Sequence, residues 1–140
     1  MKKKGETKMN DEFEVSEPIT IPDGKHKAAI TSVLLDLHGE YEYIDFYMLL
    51  SDVEGATLKY GVPAPKQGKF SSQSKLGQLL LMSGFDFKNG QKLSMATFQD
   101  HFIGKELEFK TVSLPKEING ATFEFSEIVE GTIKFIQETL

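Results

Sequence analysis

The sequence predicts a mainly β domain in which one short helix lies between the third and fourth strands. The helix is indicated by Ser72–Phe85, where leucines recur at helical spacing, a serine can cap the first turn and Gly84 can end the last. The flanking segments alternate apolar and polar residues, as strands with one buried face do. A helix of about ten residues is marginal alone, so a sheet made by its flanks must bury its leucines.

Length and composition are those of one folded domain. The 140 residues are 39% apolar and 11% aromatic, the net charge is −5, the pI is near 5.2, and there is no cysteine. Disulfide and thiolate chemistry are therefore excluded, and the composition suits a reducing compartment. No apolar run reaches the roughly 18 residues of a membrane span, and Met1–Lys4 precedes polar residues instead of a signal-peptide core. We expect a soluble, cytoplasmic protein without membrane association.

The amino-terminal part divides into an arm and a lead-in to the domain. Residues 1–12 are charged and lack apolar periodicity, which predicts a disordered arm, with residues 13–140 as the single domain. The lead-in has apolar residues that alternate around a proline. This pattern predicts an extended segment that packs against the domain or adds at its edge, with the apolar positions Phe13, Val15, Ile19 and Ile21.

Three strands are predicted before the helix. Lys25–Leu37 has a slip in its apolar phase, which indicates a bulge or a bend. Tyr41–Ser51 alternates most regularly, and Thr57–Val62 follows a polar turn. The inward positions of the second and third strands are expected to be Ile44, Phe46, Met48, Leu50, Leu58, Tyr60 and Val62.

Two further strands are predicted after the helix. Ser94–Phe102 is compatible with a second short helix capped by Ser94. Gly104–Leu114 and Thr122–Val129 read as strands joined by a tight turn at Asn119-Gly120. Thr132–Gln137 either continues the last strand past Gly131 or pairs with the lead-in. The expected inward residues of these strands are Leu107, Phe109, Phe123 and Phe125.

The order strand, strand, strand, helix, strand, strand is that of a small barrel of the oligonucleotide/oligosaccharide-binding (OB) type. A sandwich with an embedded helix is the rival architecture. Lys66–Phe85, with Ser-Lys-Leu-Gly-Gln-Leu-Leu and then Gly84, and Gly104–Phe109, reading Gly-Lys-Glu-Leu-Glu-Phe, resemble the middle and the fourth strand of small OB-fold proteins from phages and mobile elements. The resemblance implies single-stranded DNA binding or a role in replication.

The residues themselves offer a binding face on the second strand. If its apolar set is buried, the pleat turns Tyr41, Tyr43 and Tyr47 outward. Aromatic faces that stack bases, beside lysines that contact phosphates, hold single strands. Asp45 among the tyrosines would repel phosphate or accept from a base amino group, and tyrosines also occur in strands for packing alone. The candidate nucleic-acid-binding residues are Lys27, Tyr41, Tyr43, Tyr47, Lys59, Lys66, Lys69 and Phe70.

No pattern of catalytic or metal-binding residues is present in the sequence. His26, His38 and His101 form no His-x-x-x-His pair, and an exposed position is the simpler interpretation of each. No Gly-x-Ser-x-Gly turn and no complete phosphate loop occur. We expect no enzymatic activity, no metal and no cofactor.

Three functions remain, in order of support. The first is non-catalytic binding of single-stranded DNA, with RNA as a variant, in phage or mobile-element replication or recombination. The second is a protein–protein interaction module on the same barrel, since interfaces also favour tyrosine and the acidic balance suits a protein partner. The third is carbohydrate binding, which the absence of tryptophan disfavours. The sequence leaves homo-oligomerisation open.

Overall fold

The computed structural model describes residues 12–17 and 19–136, which form a six-stranded antiparallel sheet and two α-helices. The mainly β prediction is confirmed. The second short helix, compatible with Ser94–Phe102 in the sequence, is confirmed, so two helices and not one lie between the third and fourth strands. The strands are β1 (Gly24–His38), β2 (Tyr41–Leu50), β3 (Thr57–Pro63), β4 (Glu106–Ile118), β5 (Ala121–Ile128) and β6 (Lys134–Phe135), the helices are α1 (Lys75–Met82) and α2 (Met95–Phe102), and a 3₁₀ turn spans Lys66–Gly68.

The sheet is open within the described residues. Its order is β3-β2-β1-β4-β5, and β6 pairs with β4. The predicted irregularity of the first strand is confirmed as a register shift between Ile30 and Ser32. Strands β3 and β5 are not paired in this part of the chain, but Tyr60 on β3 donates a hydrogen bond of 2.9 Å to Glu130, just after β5. Closure into a barrel therefore stays a prediction.

Both helices begin at a serine cap and bury one side against the sheet. The Ser74 hydroxyl accepts from the Gly77 amide at 3.0 Å, and the Ser94 hydroxyl accepts from the Thr97 amide at 3.2 Å. Gly84 ends the first helical segment with a φ of 88°, which only glycine adopts freely. The buried helical residues are Leu76, Gly77, Leu79, Leu80, Phe98 and Phe102.

The core lies between the inner face of the sheet and the helices. Phe46 of β2 meets Phe102 of α2 edge to face, with ring centroids 4.9 Å apart. The Gln99 side chain donates to the Val33 carbonyl at 2.9 Å and so fixes α2 to β1. The predicted inward positions of β2 are all confirmed as buried, as are Leu107 and Phe109 of β4.

The carboxyl-terminal strands depart from the prediction in two respects. The turn at Asn119-Gly120 is confirmed, with positive φ at both residues. Phe123 and Phe125 are exposed, so the prediction that they point inward is wrong. Residues 134–135 neither continue β5 nor pair with the lead-in, because β6 pairs with Leu107 and Glu108 of β4.

The lead-in also differs from the prediction. Residues 12–17 and 19–23 contain no strand, and Phe13 and Val15 are exposed instead of packed. Ile21 alone of the predicted apolar positions joins the core, while Ile19 is half exposed. The predicted arm, apart from Glu12, lies outside the described residues.

Candidate functional site

Strand β2 carries the predicted row of tyrosines on its outer side. Its other side is fully occupied by the core, so the pleat directs the alternate residues away from the interior. Tyr41 is the most open of them, with 59% of its surface exposed, while Tyr43 and Tyr47 are half-buried. We call the tyrosine face the surface formed by Tyr41, Tyr43, Asp45 and Tyr47 of β2, Asp36 and His38 of β1, and Lys59 and Gly61 of β3.

A ring pair forms one end of the tyrosine face. His38 stacks on Tyr43 with ring centroids 4.6 Å apart and an interplanar angle of 13°. Tyr41 is paired with His38 in the β1–β2 register, and paired residues share a face. Three flat side chains therefore occupy this end, one of them largely exposed.

Tyr47, at the other end, is held by charged neighbours. Its hydroxyl donates to the Asp36 carboxylate at 2.6 Å, and the Lys59 ammonium lies 5.8 Å from its ring centroid. This hydrogen bond, followed by burial, raises the pKa of Tyr47 to about 12. The same bond lowers the pKa of Asp36. The Tyr47 ring is thus a less open stacking surface than that of Tyr41.

Asp45 lies at the centre of the tyrosine face, but it is completely buried. One carboxylate oxygen is 2.7 Å from His38 Nε2 and 3.7 Å from the Lys59 ammonium. Its other oxygen, Oδ1, has no hydrogen-bond partner among the described residues. Gly61 lies opposite on β3, and a Cβ there would collide with Oδ1. Asp45 is therefore a covered carboxylate with two basic neighbours, and the expected exposed charge facing a phosphate is not found.

A cleft of about 520 Å³ adjoins the ring pair. Tyr41, Tyr43 and Lys66 line it, and Lys66 reaches it because the 3₁₀ turn follows β3 directly. Glu40 and Glu42 line the same cleft, so its charge is mixed instead of uniformly positive. A ligand here would meet two tyrosine rings, one ammonium group and two carboxylates.

The remaining predicted residues lie apart from this cleft. Lys27 is exposed on β1 opposite Glu108, five residues before Ser32, the partner of Tyr47. Phe70 packs against the core, and its ring centroid lies 5.6 Å from that of Phe87, so its ring contacts other side chains of the protein. Lys69 is exposed just after the 3₁₀ turn. The structure thus groups five of the eight predicted residues, namely Tyr41, Tyr43, Tyr47, Lys59 and Lys66.

The prediction of exposed histidines fails for two of the three. His26 is buried, with its ring nitrogens 2.9 Å from an Asp52 oxygen and 2.6 Å from the Pro22 carbonyl. His101 is half-buried, and its Nε2 is 2.8 Å from the hydroxyl of Ser83. That hydroxyl also lies 2.8 Å from the Leu80 carbonyl, and both contacts are satisfied when the histidine donates and the serine donates onward.

The Ser83–His101 pair borders a second cleft, of about 570 Å³. Burial, followed by the charge of Lys105, lowers the pKa of His101 and favours the neutral ring. The backbone amides of Ile103, Gly104 and Lys105 in this cleft all donate to carbonyls of the protein. They are therefore not free to bind an oxyanion. The role that the structure supports for the Ser83–His101 pair is to hold α2 against the end of α1.

Comparison with known proteins does not extend this description. No protein-family model matches the chain, and no curated protein sequence matches it.

Within residues 12–17 and 19–136, no three His, Cys, Asp or Glu side chains are placed to hold a metal ion. No helix in the same residues is long and apolar enough to cross a membrane.

Proposed function

We propose that the chain binds single-stranded DNA through the tyrosine face, without catalysis and with little sequence preference. The observation that carries the proposal is the exposed ring of Tyr41 beside the stacked Tyr43–His38 pair, at a cleft that also contains Lys66. Base stacking on aromatic side chains contributes about 1–3 kcal/mol per base and tolerates every base. The proposed setting is phage or mobile-element DNA replication or recombination.

The proposed fold is an OB-like barrel, and the strand pairs support it. Strand β1 pairs with both β2 and β4, and an open gap separates β3 from β5. Glu130, just after β5, accepts from Tyr60 of β3 at 2.9 Å across this gap, and it also accepts from Lys75 of α1 at 3.2 Å. In such barrels oligonucleotides lie across strands two and three, which is where the tyrosine face lies here.

The charges of the tyrosine face define how a strand would lie on it. Lys59 lies near the start of β3, and Lys66 lies in the 3₁₀ turn that follows β3. A DNA sugar-phosphate backbone that contacts both lysines would pass across the tyrosine rings. Asp45 is covered by His38 and Lys59, which reduces its repulsion of phosphate. Glu40 and Glu42 oppose a phosphate at the cleft, so we expect modest affinity that depends strongly on salt.

Substitution of the tyrosines tests the proposal. Fluorescence anisotropy with a labelled oligo-dT at low salt should show at least about thirtyfold weaker binding for Tyr41→Ala with Tyr43→Ala, because two lost stacks of about 1 kcal/mol or more each cost about 2 kcal/mol or more in total. The matched control, Tyr41→Phe with Tyr43→Phe, keeps both rings and should bind like the parent chain. Equal affinity of the alanine and parent proteins, with folding intact by circular dichroism, contradicts the stacking role.

A protein-interaction module is the second candidate, and one observation favours it. The hairpin of β4 and β5 exposes Leu114, Ile118, Phe123 and Phe125 to solvent. Apolar and aromatic side chains of this kind are enriched in interfaces. If neither DNA nor RNA oligonucleotides bind at low salt, that result contradicts single-stranded DNA binding and favours the protein-interaction module.

A further inference from the structure

The outer side of β1, β4 and β6 carries a group of basic residues beyond the tyrosine face. Ala28 of β1 is paired with Leu107 of β4, and both are buried in the core. Residues next to them along each strand therefore point to the opposite, outer side of the sheet. We call the lysine cluster the outward residues Lys25 and Lys27 of β1, Lys110 of β4 and Lys134 of β6.

Two rows of paired residues form the lysine cluster. Lys25 is directly opposite Lys110, so two basic side chains face each other across β1 and β4. In the next row, Glu108 of β4 lies between Lys27 and Lys134. Neighbouring strands are about 4.8 Å apart, and rows that share a face are about 7 Å apart along the strands. The four lysines therefore surround a single carboxylate.

The positive charges of the lysine cluster are not paired within the described residues. All four lysines are exposed, and none of them forms an ion pair with a carboxylate of this part of the chain. The adjoining rows contain Glu106 and Glu127, and the latter already contacts Lys116 at 3.9 Å. Like charges directly opposite each other destabilise a sheet. A local excess of positive charge in a chain of net charge −5 thus indicates an anionic partner.

The lysine cluster lies on the same side of the sheet as the tyrosine face. The Ser51 amide donates to the Lys27 carbonyl at 2.8 Å, so Lys27 is level with a residue four positions after Tyr47 on the neighbouring strand. This separation is about 13 Å along the strand. The outward pair between them, Ala29 and Leu49, is uncharged. A bound strand that leaves the tyrosine rings in this direction reaches the lysine cluster next.

We propose that the lysine cluster is a second contact for single-stranded DNA, which binds the phosphates of the strand beyond the tyrosine face. The inference rests on the proposed function and adds to it the path of the bound strand. Lysine ammonium groups bind phosphates as point charges and do not read the bases. The two rows contain no aromatic residue, whereas the centre of a protein interface is usually apolar and aromatic. The cluster therefore fits a sugar-phosphate backbone better than a folded protein partner.

The salt dependence of binding to a short and a long oligo-dT tests this path. One OB fold covers about 4–16 nucleotides, so oligonucleotides of about 5 and about 16 nucleotides separate the two contacts. Binding of the short one should depend on salt through the lysines of the tyrosine face and the turn that follows it. For the long one, the logarithm of the binding constant should fall more steeply with the logarithm of salt concentration. The slope should be steeper by about 1.4–2.1, because two or three added phosphate contacts contribute about 0.7 each.

Substitutions within the lysine cluster assign this difference to its residues. Lys25→Ala with Lys110→Ala should reduce the slope for the long oligonucleotide by about 1.4 and leave that for the short one unchanged. The matched control, Lys88→Ala with Lys92→Ala, removes two exposed lysines elsewhere and should change neither slope. Glu108→Gln removes the central carboxylate and should tighten binding of the long oligonucleotide about two- to fivefold.

Each contrary result has a distinct meaning. Equal slopes for the short and long oligonucleotides in the parent chain overturn the second contact but not binding by the tyrosine face. Equal slopes for the two double-lysine variants with the long oligonucleotide overturn it as well. If neither length binds at low salt, the proposed function fails together with this inference. A poly-glutamate peptide that binds as tightly as the long oligonucleotide, and weakens in Lys25→Ala with Lys110→Ala, overturns the assignment to DNA and indicates an acidic protein partner.

Discussion

Replacing His38 with phenylalanine tests the buried carboxylate at the centre of the tyrosine face. The imidazole Nε2 lies 2.7 Å from an oxygen of Asp45, which is completely buried, and the ring stacks on Tyr43. His38→Phe keeps a flat ring for the stack and removes the donor to the carboxylate. The substitution therefore separates the electrostatic role of this side chain from its packing role.

The magnitude follows from the bond and its surroundings. A hydrogen bond to a charged group contributes about 1.5–3 kcal/mol, and removing one partner of a buried pair costs about 3–5 kcal/mol. The histidine side chain is 36% exposed and Lys59 stays 3.7 Å from the carboxylate, so water and the ammonium compensate in part. We expect a loss of about 2 kcal/mol in the free energy of unfolding.

Urea denaturation followed by circular dichroism measures this loss. The double variant His38→Phe with Asp45→Leu removes both members of the pair, and it should be more stable than His38→Phe alone, because no buried carboxylate is left without its donor. A loss below about 0.5 kcal/mol in the single variant refutes the reasoning, since exposed pairs contribute only that much.

Three further predictions concern stability. Gly61→Ala places a Cβ against Asp45 Oδ1 and should cost about 1–3 kcal/mol in urea denaturation; a neutral result would contradict the close approach. Burial, followed by the charge of Lys105, lowers the pKa of His101 below 6.5, so the unfolded chain binds more protons than the folded chain near that pH. The free energy of unfolding should therefore be at its full value above pH 6.5 and should decrease as the pH falls below it. In urea denaturation at a series of pH values, His101→Gln should show a smaller decrease in the midpoint. Tyr60→Phe removes the hydroxyl that donates to Glu130 and should lower the free energy of unfolding by about 0.5–1.5 kcal/mol. Burial, followed by this bond, raises the pKa of Tyr60 to about 12. In an ultraviolet titration the variant should therefore show one tyrosine fewer ionising near that pH.

Local sequence patterns were sufficient to predict the elements whose signals are complete within a few residues. Alternation along Tyr41–Leu50 identified the buried side of β2, and a serine cap with spaced leucines identified α1. The Asn119-Gly120 turn fixed the hairpin. Each of these signals depends on local backbone geometry or on one apolar face, and both are determined by residues that are contiguous in the sequence.

The direction of Phe123 and Phe125 could not be predicted in this way. The assumption that apolar residues of a strand point inward requires a core beneath the strand, and the end of the β4–β5 hairpin extends past the core. Whether β5 has a core beneath it depends on how far β1 and β6 extend along β4, with which all three strands pair. That information is not present in the sequence of β5 itself.

The tyrosine face was predicted in part for the same reason. The spacing of Tyr41, Tyr43 and Tyr47 gave their common direction, because one strand determines it. The burial of Asp45 depends on His38 and Gly61, which come from two other strands. A glycine inside β3 was the available signal, since glycine in a strand often marks a close approach.

The salt dependence of oligo-dT binding tests the central claim most directly, because it counts the phosphates that the protein contacts. With Lys59 and Lys66 at the face, and Lys69 after the turn, the logarithm of the binding constant should fall with the logarithm of salt concentration with a slope of about −1.4 to −2.1. Lys59→Ala with Lys66→Ala should reduce the slope by about 1.4, whereas the exposed pair Lys88→Ala with Lys92→Ala, which removes the same charge elsewhere, should leave it unchanged. An absence of binding at low salt, or equal slopes in the two lysine variants, would contradict single-stranded DNA recognition by this surface.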